Sequence, residues 1–196
     1  MSATATNSRD AVLASATAAF ASRGYAGTSV QDILGATGLS KPTLYYYFGS
    51  KAGLFRAILD QAQDESYRII AESSRSVSGS RSQLGEIAAA MFDFSVRNKD
   101  LIRLIISSAF AAPEELPPGV YDMAKRQRLF HLLGDVIRAG QLAGELTAHF
   151  KASELAEAFF GAITHPIRLT LLSNSGKLDR SRALRVVELF LMGARA

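Results

Sequence analysis

Apolar side chains recur three and four residues apart along nearly the whole of this chain, and no stretch alternates apolar and polar with a period of two. A period near 3.6 marks amphipathic helices, whereas a half-buried strand needs period two. No Asn-Gly hairpin signal occurs either. The chain is therefore expected to be all-α, with about nine helices and no internal repeat. Its 196 residues suffice to bury a core without metal or disulfide staples. The absence of cysteine excludes a disulfide scaffold, thiolate metal sites, iron–sulfur clusters and a cysteine nucleophile, and fits a reducing cytoplasm. No apolar run reaches the roughly 18 residues of a spanning helix. Residues 11–21 are Ala-rich, as a secretory signal would be, but Asp10 offsets Arg9 just before them, and Ser15 and Thr17 interrupt the run. They read instead as a helix with Val12, Leu13, Ala16, Ala19 and Phe20 on one stripe. A cytoplasmic location is expected.

Start and stop signals divide the N-terminal quarter finely. A helix over 8–23 ends at Gly24, a residue that adopts the left-handed conformation cheaply. Thr28, with Gln31 three residues on, predicts a capping box for a second helix, which turns Val30, Ile33 and Leu34 inward and stops at Gly38. Ser40 caps a third helix. Pro42 falls in its first turn, where a missing N–H breaks no bond. Leu44 and Phe48 face the core, and Lys41, Tyr45 and Tyr46 point elsewhere. After Gly49, Ser50 starts a long fourth helix reaching about residue 72, with Leu54, Phe55, Ile58, Leu59 and Ala62 as its stripe. The Ser-rich stretch 73–82 reads as a loop. Further helices are expected at about 83–97, 99–109, 119–140, 153–173 and 179–194.

Net charge is +4, which invites a nucleic-acid partner. The distribution tempers that: Arg9, Arg23, Lys41, Lys51 and Arg56 against Asp10, Asp32 and Asp60 leave only +2 on residues 1–60. Residue types in the stretch 28–51 say more. Two short helices joined by a tight turn at Gly38 form a helix-turn-helix pattern, whose second helix can enter a major groove. Thr28 and Ser29 stand at a helix N-terminus, where hydroxyls, N–H groups and the dipole favour a phosphate. Lys41, Thr43, Tyr45 and Tyr46 bring one cation, three hydroxyls and two rings to the start of the third helix. Lys51 offers charge for another phosphate.

The stretch resembles the TetR family of bacterial repressors over residues 8–55. The likeness rests on Phe20, Gly24, Thr28, Ile33, Gly38, Leu39, Ser40, Thr43, Leu44, Tyr45, Tyr47, Phe48 and Lys51 at that family's spacing. Gly35 departs from it, standing where the family usually has Ala, a change that costs a helix up to about 1 kcal/mol. The resemblance implies a DNA-binding domain over residues 1–54 and an effector-binding and dimerisation domain over 55–196. It also implies a homodimer on a palindromic operator in double-stranded DNA. The DNA-contacting roles fall by position on Thr28, Lys41, Pro42, Thr43, Tyr45, Tyr46 and Lys51.

Two further expectations concern the C-terminal helices. The helices within 153–194 are apolar nearly all round, which requires burial on two fronts. A second subunit would cover one of them, through Phe160, Ile163, Ile167, Leu171, Val187, Phe190 and Leu191. Bulky Met91, Phe94, Phe110, Phe130 and Phe159, with sparse polar Arg103, Tyr121, His131, Thr164 and His165, suggest an apolar pocket with few anchors. A small, largely apolar effector would act there by favouring one spacing of the two recognition helices. Pro166 is expected to withhold a hydrogen bond from Ala162 inside its helix. His131, His149 and His165 lack the i,i+3 or i,i+4 spacing of helical metal ligands, and no G-x-S-x-G, GxGxxG or P-loop occurs. No metal, cofactor or enzymatic activity is expected. A helical carrier or enzyme without DNA binding is the alternative, and the polar set at Thr28, Lys41, Thr43, Tyr45 and Lys51 weighs against it.

Overall fold

The computed structural model describes residues 3–120, 122–173 and 176–193, and the side chains of residues 3–7 and Pro113 are outside that description. The described residues form nine α-helices: α1 Ala3–Arg23, α2 Val30–Gly35, α3 Lys41–Phe48, α4 Lys51–Ser76, α5 Ser80–Arg97, α6 Lys99–Phe110, α7 Met123–Leu142, α8 Ala152–Ser173 and α9 Arg180–Gly193, with a short 3-10 turn at Pro113–Glu115. No strand occurs among them.

The Ser-rich linker is shorter than its composition suggests. Helix α4 runs on to Ser76, and α5 begins at Ser80. The serines are accommodated because their hydroxyls turn back on the helix: Ser74 Oγ donates to the Ala71 carbonyl (3.1 Å) and Ser76 Oγ to that of Ser73 (2.8 Å). Glu145, from the loop after α7, accepts the Ser80 N–H at 2.7 Å and so satisfies the start of α5.

The chain packs as two units, Met1–Ala62 with Lys99–Asp122, and Gln63–Asn98 with Met123–Ala196. These packing units differ from the expected division by role at residues 54 and 55 in taking α6 into the first unit. In the first unit α1 packs on α2, α3 and α6. Val12, Ala16 and Phe20 of α1, Ile33 of α2, Leu44 of α3, Leu54 and Phe55 of α4 and Leu104 of α6 share one core. Phe55 meets Phe20 edge-on at 5.0 Å and Tyr25 at 5.1 Å, a favourable aromatic geometry. Helix α6 therefore belongs with the N-terminal helices, although its sequence alone says nothing about which core its stripe joins.

In the second unit α5 packs on α7, α8 and α9, and α8 on α7 and α9. Met91, Phe92, Leu133, Ile137, Phe159, Ile163 and Val187 are buried there. Helices α5 and α7 approach closely at Gly140, where a Cβ would stand 2.3 Å from Ser80 Oγ. Only glycine permits that approach. Pro166 lies inside α8 and is buried.

Charge divides unevenly. Seven basic residues meet seven acidic ones in the first unit, whereas fifteen meet eleven in the second, so the whole +4 surplus belongs to the second.

Candidate nucleic-acid interface

Helices α2 and α3 are joined by a turn through Gly38, which adopts a positive φ of 66°. Both helices are capped by a preceding serine. Ser29 accepts the Asp32 N–H (3.1 Å), and the Asp32 carboxylate accepts the Ser29 N–H (2.8 Å) and hydroxyl (2.7 Å). The capping box is therefore Ser29 with Asp32, one residue later than the expected Thr28 with Gln31. Those hydrogen bonds from Ser29, with the Arg23 guanidinium 3.7 Å away, hold the Asp32 carboxyl below the ordinary aspartate range. The Asp32 carboxylate occupies this helix start, with Ser29 as its cap.

Thr28 and Lys51 also face inward. Thr28 is only 1% exposed, and its hydroxyl donates to the carbonyls of Gly24 (2.7 Å) and Ala19 (3.2 Å). Lys51 Nζ donates to the carbonyls of Tyr25 and Thr28, both at 2.9 Å, and lies 4.2 Å from the centre of the Tyr25 ring. Partial burial pushes its ammonium below the ordinary lysine value. The turn between α1 and α2 leaves carbonyls that no helix can pair, and these two donors satisfy them. In this structure both side chains hold the turn.

Helix α3 presents the opposite picture. Ser40 caps it, accepting the Thr43 N–H (3.4 Å), with its Oγ 2.9 Å from Thr43 Oγ1. Leu44 is fully buried and Phe48 packs against the core beside it. Lys41, Pro42, Tyr45 and Tyr46 are exposed and Thr43 is half-buried. Tyr46, at 84% exposure, is braced by Tyr47, whose ring lies edge-on at 5.2 Å and in turn contacts Phe48 at 6.1 Å. One face of eight residues thus offers a cation, three hydroxyls and two rings to solvent. The other face is anchored.

The remaining expected residues separate. Arg103 and Phe110 belong to the first unit; Met91, Phe94, Phe130, His131, Phe159, Thr164 and His165 to the second. Tyr121 is outside the described residues. Met91, Phe94 and Phe159 are buried, and Phe130 lies half-buried against Phe160 at 5.2 Å. The charged anchors are corrected: Arg103 is exposed and paired with Asp100 (3.1 Å), His131 is exposed, and His165 is exposed with its Nδ1 3.1 Å from Arg168. Thr164 donates to the Phe160 carbonyl at 2.8 Å. Phe110 is 75% exposed and borders a groove of about 380 Å³ with Tyr25 and Leu116 in the first unit. Sequence reasoning missed Gln63, whose Oε1 is buried with no donor among the described residues. A lone Gln in a helical stripe carries no signal of this.

The candidate dimer residues need a similar correction. Ile163, Ile167 and Val187 are buried within the subunit, so they cannot meet a partner. Phe160, Leu171, Phe190 and Leu191 are half-buried. The apolar groups that α8 and α9 leave exposed are Leu169, Leu172, Leu184, Leu189 and Met192. All-round apolarity does not tell which side the subunit's own core takes.

The family model for bacterial regulatory proteins of the tetR family matches residues 12–58, the span holding α2, α3 and their supports. Among characterised relatives, the chain is 29% identical over 108 residues to the HTH-type transcriptional activator FasR of Mycolicibacterium smegmatis, covering 55% of this chain and 49% of that protein. It is 50% identical over 56 residues to the HTH-type transcriptional repressor ComR of Escherichia coli, covering 29% and 27%. The chain thus spans about half or less of these relatives' length. Over nearly the whole chain the fold is that of a Rhodococcus regulatory protein in the tetR family (TM-score 0.81, 19% identity, 96% and 97% coverage). FadR of Bacillus subtilis, solved in complex with stearoyl-CoA, is similar too (TM-score 0.75, 17% identity, 95% and 99% coverage). Helix α3, anchored on one side and polar on the other, lies within the span that the tetR-family model matches, and over that span the chain is similar to bacterial regulatory proteins of the tetR family.

Proposed function

We propose that this protein is a ligand-responsive, DNA-binding transcriptional regulator of the cytoplasm, a repressor that binds a palindromic operator as a homodimer. The observation that carries the reading is the division of α3: Leu44 fully buried, and Lys41, Pro42, Tyr45 and Tyr46 turned to solvent beside Thr43. A carrier or enzyme of this fold has no use for such a face. One recognition helix covers too few base pairs for useful specificity, and two-fold symmetry doubles the site. The exposed apolar residues of α8 and α9 supply a self-complementary patch for that symmetry.

The effector belongs to the second unit and is largely apolar, matching the buried Met91, Phe94 and Phe159. The orphan Gln63 Oε1 favours a ligand that also donates one hydrogen bond. A protein of this fold solved in complex with stearoyl-CoA supports a ligand with a long apolar portion. Binding would release DNA by favouring the protein state that fits the operator less well.

The test is selection of genomic fragments by the purified protein at low salt, with light scattering of the same sample. An enriched palindrome bound by two chains is expected. No enrichment, or a 21.1 kDa species at micromolar concentration, would refute the reading. A thermal-shift screen of apolar metabolites then finds the effector, and compounds that stabilise the protein should release the selected fragment.

A further inference from the structure

Lys51 is hydrogen-bonded to the turn between α1 and α2, and other cations of the first unit can add phosphate-binding charge to the recognition surface. Arg23 faces Asp32 at 3.7 Å. Arg9 is different. Its guanidinium carbon lies 5.5 Å from the centre of the Phe48 ring, and Phe48 is the last residue of α3. Phe48 is also the end of the ring series Tyr46–Tyr47–Phe48 that braces the most exposed side chain of the recognition helix. Arg9 therefore continues the aromatic series that begins at Tyr46, with its side chain still 45% exposed. Planar guanidinium groups stack on rings while keeping their N–H fork for an anion.

We propose that Arg9 is a DNA-phosphate contact that closes the C-terminal end of the recognition helix, opposite Lys41 at its N-terminal end. This rests on the DNA-binding reading above. Lys41 and Phe48 are seven residues apart, about 10 Å along a helix axis. A major groove is about 12 Å wide. Lys41 and Arg9 thus stand near opposite ends of α3, separated by a distance comparable to that width. Asp10 is the neighbouring charge, but its carboxylate is 3.9 Å from the guanidinium and 64% exposed. Residues i and i+1 of a helix do not face each other, so the pair is loose and the fork can turn to a phosphate.

The test is the salt dependence of binding to a mixed-sequence duplex long enough for two half-sites. Each neutralised phosphate adds about −0.9 to the slope of log K against log salt. Arg9→Ala removes one such contact per subunit, so the slope of the dimer should flatten by about two, equally for all sequences. Arg9→Lys should restore it, and Asp10→Asn should tighten binding severalfold by removing a repulsive carboxylate. A slope for Arg9→Ala equal to wild type overturns the proposal, as does unchanged affinity for Asp10→Asn. A wild-type protein that binds no duplex even at low salt would instead overturn the DNA-binding reading itself, and this inference with it.

Discussion

The two ends of the helix-turn-helix use the same kinds of residue for opposite purposes. At the start of α2, a threonine, a serine and the nearby Lys51 spend their donors on the protein's own backbone and its cap. At the start of α3, a serine caps while a lysine, a proline and two tyrosines stay in solvent. What separates them is which side chains the nearby carbonyls take as donors. The turn from Gly24 to Thr28 leaves carbonyls that take side-chain donors, those of Gly24 and Thr28 among them, and a buried unpaired carbonyl costs about 1–3 kcal/mol. The turn before α3 takes its side-chain donors from elsewhere, Thr37 Oγ1 on the Leu34 carbonyl (3.0 Å) and Ser15 Oγ on that of Ile33 (2.6 Å), so Lys41, Tyr45 and Tyr46 stay exposed. Polar residues at a helix start bind a partner only when the fold has left them unused.

The sharpest way to break this contrast is within α3 itself. Leu44 is its one fully buried anchor, so Leu44→Ala should cost about 2–5 kcal/mol of stability in denaturant unfolding. A loss below about 0.5 kcal/mol, the usual range for a surface site, would mean that the helix is not anchored as described. Next in size are Lys51→Met and Thr28→Val, each expected to cost about 1–3 kcal/mol by leaving carbonyls unpaired. Thermal unfolding of each variant checks this, and two variants as stable as wild type would return those side chains to the DNA. Ser40→Ala should cost about 1 kcal/mol as a lost cap and also free the Thr43 hydroxyl. Its DNA affinity should fall more than its stability suggests.

The smallest effect is a pH dependence at Asp32. Its carboxyl lies below the ordinary value of about 3.9, so the folded state binds its proton less readily than the unfolded one. The stability it adds is present above pH about 4 and is lost as pH falls through the lowered folded value. Asp32→Asn should lack that acid-side loss. Acid titrations of stability that run parallel for both proteins would show the capping box to be absent in solution.

Much of the fold was legible from periodicity and punctuation: Gly24 and Gly49 end helices with positive φ, and Ser40 caps α3 as its position suggests, whereas α2 ends at Gly35, before the expected Gly38. The sequence could not show which helices share a core, since apolar stripes carry no address. Hence α6 was expected beyond the first domain, and Ile163, Ile167 and Val187 were expected at a dimer face that they do not reach. Within the site, Lys41, Thr43, Tyr45 and Tyr46 followed from helical spacing around a buried Leu44. The inward hydrogen bonds of Thr28 and Lys51 were not legible, because spacing says where a side chain starts and the nearest carbonyls decide where it ends. Arg9 was invisible because its neighbour Phe48 lies 39 positions away.

The account is tested most directly by the salt dependence of duplex binding for Lys41→Ala and Lys51→Ala side by side. Loss of the Lys41 contact should flatten the log–log slope by about two per dimer and leave thermal stability within about 0.5 kcal/mol of wild type. Lys51→Ala should lower stability and leave the slope at the wild-type value. The reverse pattern, with Lys51 setting the slope and Lys41 leaving it unchanged, would contradict the assignment of α3 as the outward, DNA-facing element.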